Sequence, residues 1–169
     1  MRVLGDIVPS LQRPRVLLEA TRAGRMLTED LPELIAFTWL YDDSPTSTVT
    51  ETEWMEIFEA AGFFSYPEGR SRPASEFTVY RAATCDRLRR MSWAEDLNVA
   101  RVLGRRHASH GEAGLYSAIA GPSAVFAFLG RPGEGWTVVV DAARLKDIQI
   151  IQQLLDPHSV GPLAGHQPR

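Results

Sequence analysis

The chain has 169 residues, of which 44% are hydrophobic and 23% are charged, and its formal net charge at pH 7 is −3. This composition is typical of one folded domain and excludes wholesale disorder. The lack of any apolar run of about 18 residues excludes a transmembrane helix, and the single cysteine, Cys85, excludes an internal disulfide and a multi-cysteine zinc site. Because the segment Met1 to Arg15 lacks the apolar core of a secretory signal, we expect a cytoplasmic protein with no membrane partner.

The charges are unevenly distributed along the chain. Residues 26–69 contain ten acids and no Lys or Arg, whereas residues 70–106 contain nine arginines and four acids. This asymmetry indicates an acidic helical flank and a basic half that suits an anion such as a phosphate, with simple surface solvation as the alternative. The basic run Arg87, Arg89 and Arg90 has the same two interpretations, a solvated face or a contact with phosphate or nucleic acid.

The N-terminal part, residues 10–66, is predicted to be helical. Residues 42–50 between two of its helices are rich in Ser, Thr and Pro and predict a loop. A connector of about ten residues, with Pro67 and Pro73, then leads to the second half of the chain. Three segments have apolar residues at helical spacing together with a capping residue or a terminating glycine, and they are residues 10–24, 28–40 and 50–62.

The pattern changes to a period of two residues after Glu76. The alternation from Phe77 to Arg81 predicts a strand, and a second short strand is predicted around Arg90 to Trp93. Asp96 is expected to cap a helix over residues 97–106, with Val102 on the side that faces the core. Residues 114–120 and 136–141 are predicted to be strands. Residues 124–129 are predicted to be a strand or a single turn. Residues 145–155 fit either period.

Helices therefore come first, and a strand-rich region broken by one helix follows. This order predicts an α+β fold rather than a doubly wound parallel sheet, which needs regular alternation of strands and helices. We expect a single domain over residues 1–169. In it, residues 10–66 form the helical part, residues 76–151 form the strand-rich core and residues 157–169 form a flexible tail.

Three polar residues stand where successive predicted strands begin or end and would converge on one cleft. Arg81 supplies a permanently charged fork for a phosphate, with an ion pair to Glu76 or Asp86 as the structural alternative. Ser92 would hold a neighbouring acid in position by a hydrogen bond. Glu134 would bind a ribose hydroxyl and stabilise positive charge at the anomeric carbon. The set suits an anionic ligand that carries a sugar.

Two aromatic residues and two histidines complete the candidates. Tyr80 and Trp93 would stack on a planar heterocycle, and a core position is the alternative for Trp93. His107 and His110 are three residues apart, but two ligands in a loop make a poor metal site, so no metal is expected.

Seven short motifs carry a resemblance to a known family. They are Tyr80-Arg81-Ala82, Ser92-Trp93-Ala94, Val99-Ala100-Arg101, Leu115-Tyr116-Ser117-Ala118, Val125-Phe126-Ala127-Phe128-Leu129, the loop Arg131 to Glu134, and Val138 to Asp141. In order and spacing they resemble the Arg–Ser–Glu type of the ADP-ribosyltransferase superfamily, in particular toxin-like or effector-like members from bacteria and phages. The resemblance covers roughly residues 77–151, less than half of the chain.

The resemblance implies a split β-sheet core and the transfer of ADP-ribose from NAD to a macromolecule, with release of nicotinamide. NAD would be the substrate, the acceptor would be a protein rather than a nucleic acid, and an inhibitory protein partner is also implied. In this scheme Arg81 binds NAD, and Ser92 supports the catalytic Glu134 and the nicotinamide end. Tyr80 belongs to the cofactor-binding set, and Trp93 shapes the pocket.

The main departure from the family pattern lies in the loop before the last matched strand. The family usually has Glu-x-Glu there, with the second Glu catalytic and directly before the strand, whereas this loop has Glu134 alone. Either Glu134 is the catalytic acid, or Trp136 or Thr137 occupies its position. The second case predicts a catalytically degraded binding or interaction module. A third alternative is an unrelated α+β domain, which a structure without the expected cleft would select.

Overall fold

The computed structural model describes residues 8–41, 46–107, 113–131 and 135–154. Within them it has α-helices and a mixed β-sheet, so the predicted α+β class is confirmed. The helices are α1 (Arg13–Arg22), α2 (Leu31–Tyr41), α3 (Glu51–Ala61) and α4 (Leu97–His107). The strands are β1 (Phe64–Tyr66), β2 (Phe77–Ala83), β3 (Ser92–Ala94), β4 (Ala113–Ala120), β5 (Val125–Arg131), β6 (Gly135–Val140) and β7 (Lys146–Leu154). None of these described helices has the length and apolar character needed to cross a bilayer.

The helices begin and end where the capping residues predict. Thr50 and Glu53 form a capping box at the start of α3: the Thr50 hydroxyl accepts from the Glu53 amide at 3.2 Å, and the Glu53 carboxylate accepts from the Thr50 amide at 2.9 Å. Gly62 ends α3 at φ 70°, a conformation that residues with a Cβ rarely adopt. At the start of α4, the Asp96 carboxylate accepts from the amides of Asn98 and Val99.

The structure differs from the sequence expectations at two places and decides an alternative that the sequence left open. Strand β1 falls in the region expected to be helical, because three residues are too few to show an alternating pattern. Residues 146–154, which fitted either period, form a strand that pairs with β4 through two register shifts. Val102 is 52% exposed, so its predicted inward position is wrong: α4 covers the sheet with a narrower stripe that includes Ala100. The predicted tail, residues 157–169, lies outside the described residues.

The sheet has two parts joined at one residue pair. Its strand order is β1-β5-β6-β3-β2-β4-β7, with β1 parallel to β5 and the other neighbouring strands antiparallel. Strands β3 and β2 are in register only at Tyr80 and Ala94, whereas β2 pairs with β4 along its full length. The strands that carry Arg81 and Ser92 and the strand that follows Glu134 are therefore neighbours in the sheet.

The four helices cover one face of the sheet. Helices α1 to α3 pack on Ala127, Leu129 and Val139, and α4 packs on Ala94 and Leu115. Because Val139 is opposite Ser92, and Ala94 points to the same side as Ser92, the two groups of helices share this face. The opposite face has its own apolar cluster, which contains Val79, Trp93, Phe128, Val138 and Val140.

Candidate functional site

A cleft of about 350 Å³ opens on the helical face of the sheet. Its floor is formed by β2, β3 and β6, and its walls by α2 on one side and α4 on the other. The lining includes four of the five predicted site residues: Tyr80, Arg81, Ser92 and Trp93. The fifth, Glu134, lies outside the described residues.

Small residues keep this cleft open. Ala82 and Ala94 form part of its floor, and Ala100 forms part of the α4 wall. Gly135 lets the start of β6 approach α4 closely, since a Cβ there would lie 2.6 Å from a methyl carbon of Val99, and its φ of +81° also favours glycine. The first residue of β6 is thus fixed at the edge of the cleft.

Arg81 connects the two parts of the sheet through its guanidinium. Its Nε donates to the Arg87 carbonyl at 3.2 Å, and Nη1 donates to the Ser92 carbonyl. Burial lowers the pKa of Arg81 from its ordinary value to about 10; the nearby Glu51 opposes this shift, whereas Arg90 and Arg87 add to it. The guanidinium therefore remains charged at neutral pH.

The expected alternative role of Arg81, a simple ion pair, is not what the structure shows. Glu76 pairs with Lys146 at 2.5 Å, and Asp86 lies 3.9 Å from Arg87. None of the ion pairs recorded between described residues includes Arg81. A half-buried cation bonded to neutral carbonyls at the edge of a cleft retains its full charge for an anionic ligand.

Ser92 and Thr137 supply hydroxyl groups to the cleft from adjacent strands. Ser92 is opposite Val139, and Ala94 is opposite Thr137. Ser92 and Thr137 are therefore diagonal neighbours on one face, a relation that places side chains about 7–8 Å apart. Both residues are half-buried and line the cleft, so this part of the floor offers neutral hydrogen-bonding groups.

The two predicted stacking residues have different environments. Tyr80 is half-buried and lines the cleft next to Ala94 and Ala100, so it remains a candidate for contact with a ring. Trp93 is only 2% exposed, packs in the core of the opposite face, and donates from its indole nitrogen to the Arg90 carbonyl at 2.9 Å. The expectation that Trp93 stacks on a ligand is therefore wrong, because its ring is used in the core, although the residue does border the pocket.

The loop that carries Glu134 joins β5 to β6, whose ends pair at Arg131 and Gly135. Of the two residues proposed to replace the acid, Thr137 lines the cleft, whereas Trp136 packs against Gly130 and beneath the guanidinium of Arg70. Within the described ranges, none of the residues that line the cleft is Asp or Glu.

The structure offers no support for a metal centre among the residues it describes. His107 is the last residue of α4, and His110 falls in a stretch that is not described. Across the described part of the chain, no three His, Cys, Asp or Glu side chains form a group that would hold a metal ion.

Sequence reasoning missed the wall contributed by the N-terminal helices. Trp39 and Leu40 of α2 line the cleft, although their spacing indicated only core positions. Both are more than nine-tenths buried, so they do serve the core as well. No local signal distinguishes a core residue that also borders a cleft, because the distinction depends on which strand packs against the helix.

Comparison with protein-family models, with curated proteins and with solved structures finds no match to this chain.

Proposed function

We propose that the chain is an NAD-dependent mono-ADP-ribosyltransferase with the split sheet of that superfamily. The observation that carries the proposal is the meeting of Arg81 and Ser92 at one cleft. They come from adjacent strands, and the next strand, β6, enters the same cleft directly after Glu134. The meeting of Arg81 and Ser92 supports the convergence that the motif order implies. The single residue pair between β3 and β2 agrees with a sheet in two parts.

The proposed roles follow from the chemistry of each side chain. Arg81 binds the diphosphate or ribose of NAD, because its guanidinium is charged and has no carboxylate partner in the recorded ion pairs of the described residues. Tyr80 contacts a ring of the ligand, and Ser92 hydrogen-bonds near the nicotinamide end. Glu134 binds a ribose hydroxyl and stabilises the positive charge that develops at the anomeric carbon.

The reaction is a substitution at the anomeric carbon of the nicotinamide ribose. The carbon–nitrogen bond breaks, and its electron pair neutralises the pyridinium nitrogen, so nicotinamide leaves as a neutral molecule. A nucleophile of the acceptor forms the new bond to that carbon and loses its proton. We propose a macromolecular acceptor, a protein rather than a nucleic acid, and an inhibitory protein as a further partner.

A second candidate function rests on Thr137. This residue lines the cleft where the family pattern places an acid, and a hydroxyl cannot balance a developing positive charge as a carboxylate does. The same fold would then bind a nucleotide without transferring ADP-ribose, and the acidic helical flank would be its partner surface.

One experiment separates the two candidates. Nicotinamide release and NAD affinity are measured for the wild-type protein, for Glu134→Gln and for Glu19→Gln, a control that removes the same charge from an exposed position on α1. For a transferase we expect Glu134→Gln to lower the rate by about a hundredfold or more with little change in NAD affinity, whereas Glu19→Gln keeps the rate.

The other results have equally definite meanings. Binding of NAD without nicotinamide release by the wild-type protein supports the binding module and overturns the transferase. Failure of the wild-type protein to bind NAD overturns the transferase and favours a plain protein-interaction module. Full activity of Glu134→Gln overturns the assignment of the acid.

A further inference from the structure

The segment between β2 and β3, residues 84–91, wraps around the guanidinium of Arg81; we call it the arginine loop. Two of its backbone carbonyls are held by side chains: Arg87 accepts from Arg81 at 3.2 Å, and Arg90 accepts from the indole of Trp93 at 2.9 Å. Arg81 also holds the carbonyl of Ser92, directly after the loop. The backbone of the arginine loop is thus fixed before any ligand arrives.

Two side chains of this loop, Arg87 and Arg90, carry positive charge close to Arg81, outside the residues that line the cleft. Arg87 and Arg90 are 63% and 47% exposed, so their guanidinium groups are accessible. Their carboxylate contacts are loose: Arg87 lies 3.9 Å from Asp86, and Arg90 lies 3.4 Å from Glu51 in the first turn of α3. Exposed pairs at such distances contribute little stability and exchange readily for a stronger partner.

The balance of charge around Arg81 favours an anion. The charged groups that act on its guanidinium are one carboxylate, Glu51, and two further guanidinium groups, Arg87 and Arg90. The three guanidinium groups are accompanied by two carboxylates, Glu51 and Asp86, so a positive charge remains that a bound anion would neutralise. Arginine also forms two parallel hydrogen bonds with a phosphate, which a point charge does not.

We propose that Arg87 and Arg90 form, together with Arg81, a subsite for the diphosphate of a dinucleotide bound in the cleft. Glu51 is the counter-ion that the diphosphate displaces from Arg90. This inference rests on the proposed function, which it deepens by assigning phosphate contacts to residues that the family motifs do not include. Two exposed guanidinium groups beside a half-buried third suit two linked phosphoryl groups better than one.

Charge in the surrounding surface argues against a nucleic acid as the natural ligand. Residues 26–69 carry ten acids and no Lys or Arg. This range includes α2, which forms one wall of the cleft, and α3, which carries Glu51. A long polyanion would meet this acidic surface, whereas a dinucleotide would reach only the cleft and the arginine loop.

The test measures affinities for NAD, ADP and adenosine by calorimetry. The variants are Arg87→Gln, Arg90→Gln and the double variant, and the control is Arg89→Gln. The control removes the same charge from the same run of sequence, but Arg89 is not among the groups that act on Arg81. We expect each single variant to weaken NAD and ADP binding about tenfold and the double variant about a hundredfold, because each removes one charge-assisted contact. Adenosine binding should change less than about twofold, and the control should bind all three ligands as the wild-type protein does.

Glu51→Gln gives a change of opposite sign. It removes the competing carboxylate, so we expect NAD and ADP to bind about threefold more tightly, and thermal melting of every variant checks that it is folded. Competition by inorganic pyrophosphate against ADP separates a site for any diphosphate from one that also needs the nucleoside.

Four outcomes overturn or separate the proposals. If Arg87→Gln and Arg90→Gln bind NAD as the Arg89→Gln control does, the subsite is wrong and the proposed function stands. If the wild-type protein binds ADP but not NAD, and the variants lose ADP, the proposed function falls and the subsite stands. Binding of neither nucleotide overturns both. Binding of an oligonucleotide alone, dependent on Arg87 and Arg90, replaces the subsite with a nucleic-acid interface.

Discussion

The regions beneath α1–α3 and beneath α4 share one face of the sheet, but they are packed very differently. Beneath α1–α3 lies a dense aromatic core, in which the rings of Trp39 and Trp54 meet edge to face at 4.9 Å and Trp39 meets Phe58 at 5.4 Å. Beneath α4, the fully buried members of the core are few and mostly small, namely Ala94, Ala100 and Leu115.

This difference explains where the cleft lies. Large rings fill the space between α1–α3 and the sheet, and burial of such rings is the main source of stability in a domain. Alanines beneath α4 leave the strands uncovered at the boundary between the two regions, and the cleft opens there. The region beneath α1–α3 therefore contributes most to stability, and the region beneath α4 leaves room for the cleft. Trp39 belongs to the dense core and also lines the cleft.

Removal of a ring from the dense core should have the largest effect on stability. Phe58 is fully buried among Trp39, Phe64 and Phe126, so we expect Phe58→Ala to lower the free energy of unfolding by about 3–5 kcal/mol. Urea denaturation measures the loss. The control is Phe37→Ala, the same change at a half-buried position on α2, for which we expect less than half of that loss. Equal losses would show that the two positions do not differ in packing.

Enlarging one alanine in each region tests the contrast directly. Ala100 borders the cleft, so the additional atoms of Ala100→Leu can enter it; we expect a loss of about 1 kcal/mol and at least a tenfold loss of NAD affinity. Ala36 is fully buried in the dense core, so Ala36→Leu should cost more, about 3 kcal/mol, and leave NAD affinity unchanged in the folded protein. Denaturation and calorimetry measure the two effects. The reverse order of stability losses would contradict the comparison.

The capping box of α3 should contribute less to stability than the two changes in the dense core, Phe58→Ala and Ala36→Leu. Thr50→Ala removes the hydroxyl that accepts from the Glu53 amide, and we expect it to lower the free energy of unfolding by about 1 kcal/mol. The matched control is Ser47→Ala, an exposed hydroxyl outside the helix. If thermal denaturation shows that the two variants are equally stable, the capping box does not stabilise α3.

The sequence predicts the elements with strong local signals and misses those that depend on distant partners. Thr50 and Gly62 mark the ends of α3 correctly, because caps act within one turn of the helix. Strand β1 is missed because it exists only through its parallel pairing with β5, more than sixty residues later. The inward position of Val102 is wrong for a related reason: periodicity shows that a helix has an apolar side but not how wide a stripe the sheet will cover.

The site is predictable to a similar extent. Arg81 and Ser92 both line the cleft, but only Ser92 stands at a strand end as predicted: β2 continues two residues beyond Arg81, to Ala83. The sequence does not show that the Trp93 ring points to the opposite face, because Trp93 and its neighbour Ala94 are both buried and this three-residue strand has no alternation of buried and exposed residues. Nor does the sequence reveal that Trp39 lines the cleft, because this depends on how α2 packs against the sheet.

The smallest expected effect concerns the acids of α3 and the pH dependence of stability. Two hydrogen bonds from Arg22, at 2.9 and 3.0 Å, lower the pKa of Glu56 below its ordinary value of 4.5, and the hydrogen bond from the Thr50 amide lowers that of Glu53. A carboxyl with a lowered pKa binds its proton less tightly in the folded state than in the unfolded state. Its contribution is therefore present above about pH 4.5 and is lost as the pH falls through the folded pKa.

The pH dependence of stability tests whether the ion pair between Arg22 of α1 and Glu56 of α3 stabilises the packing of these two helices. Arg22→Gln should reduce the fall in melting temperature between about pH 7 and about pH 3, because Glu56 then has nearly the same pKa in both states. The effect should be small, since both side chains are largely exposed. Arg25→Gln is the control, because it removes an exposed charge just beyond α1 without touching Glu56. If the two variants show the same pH dependence, the Arg22–Glu56 contact does not hold α3 to α1.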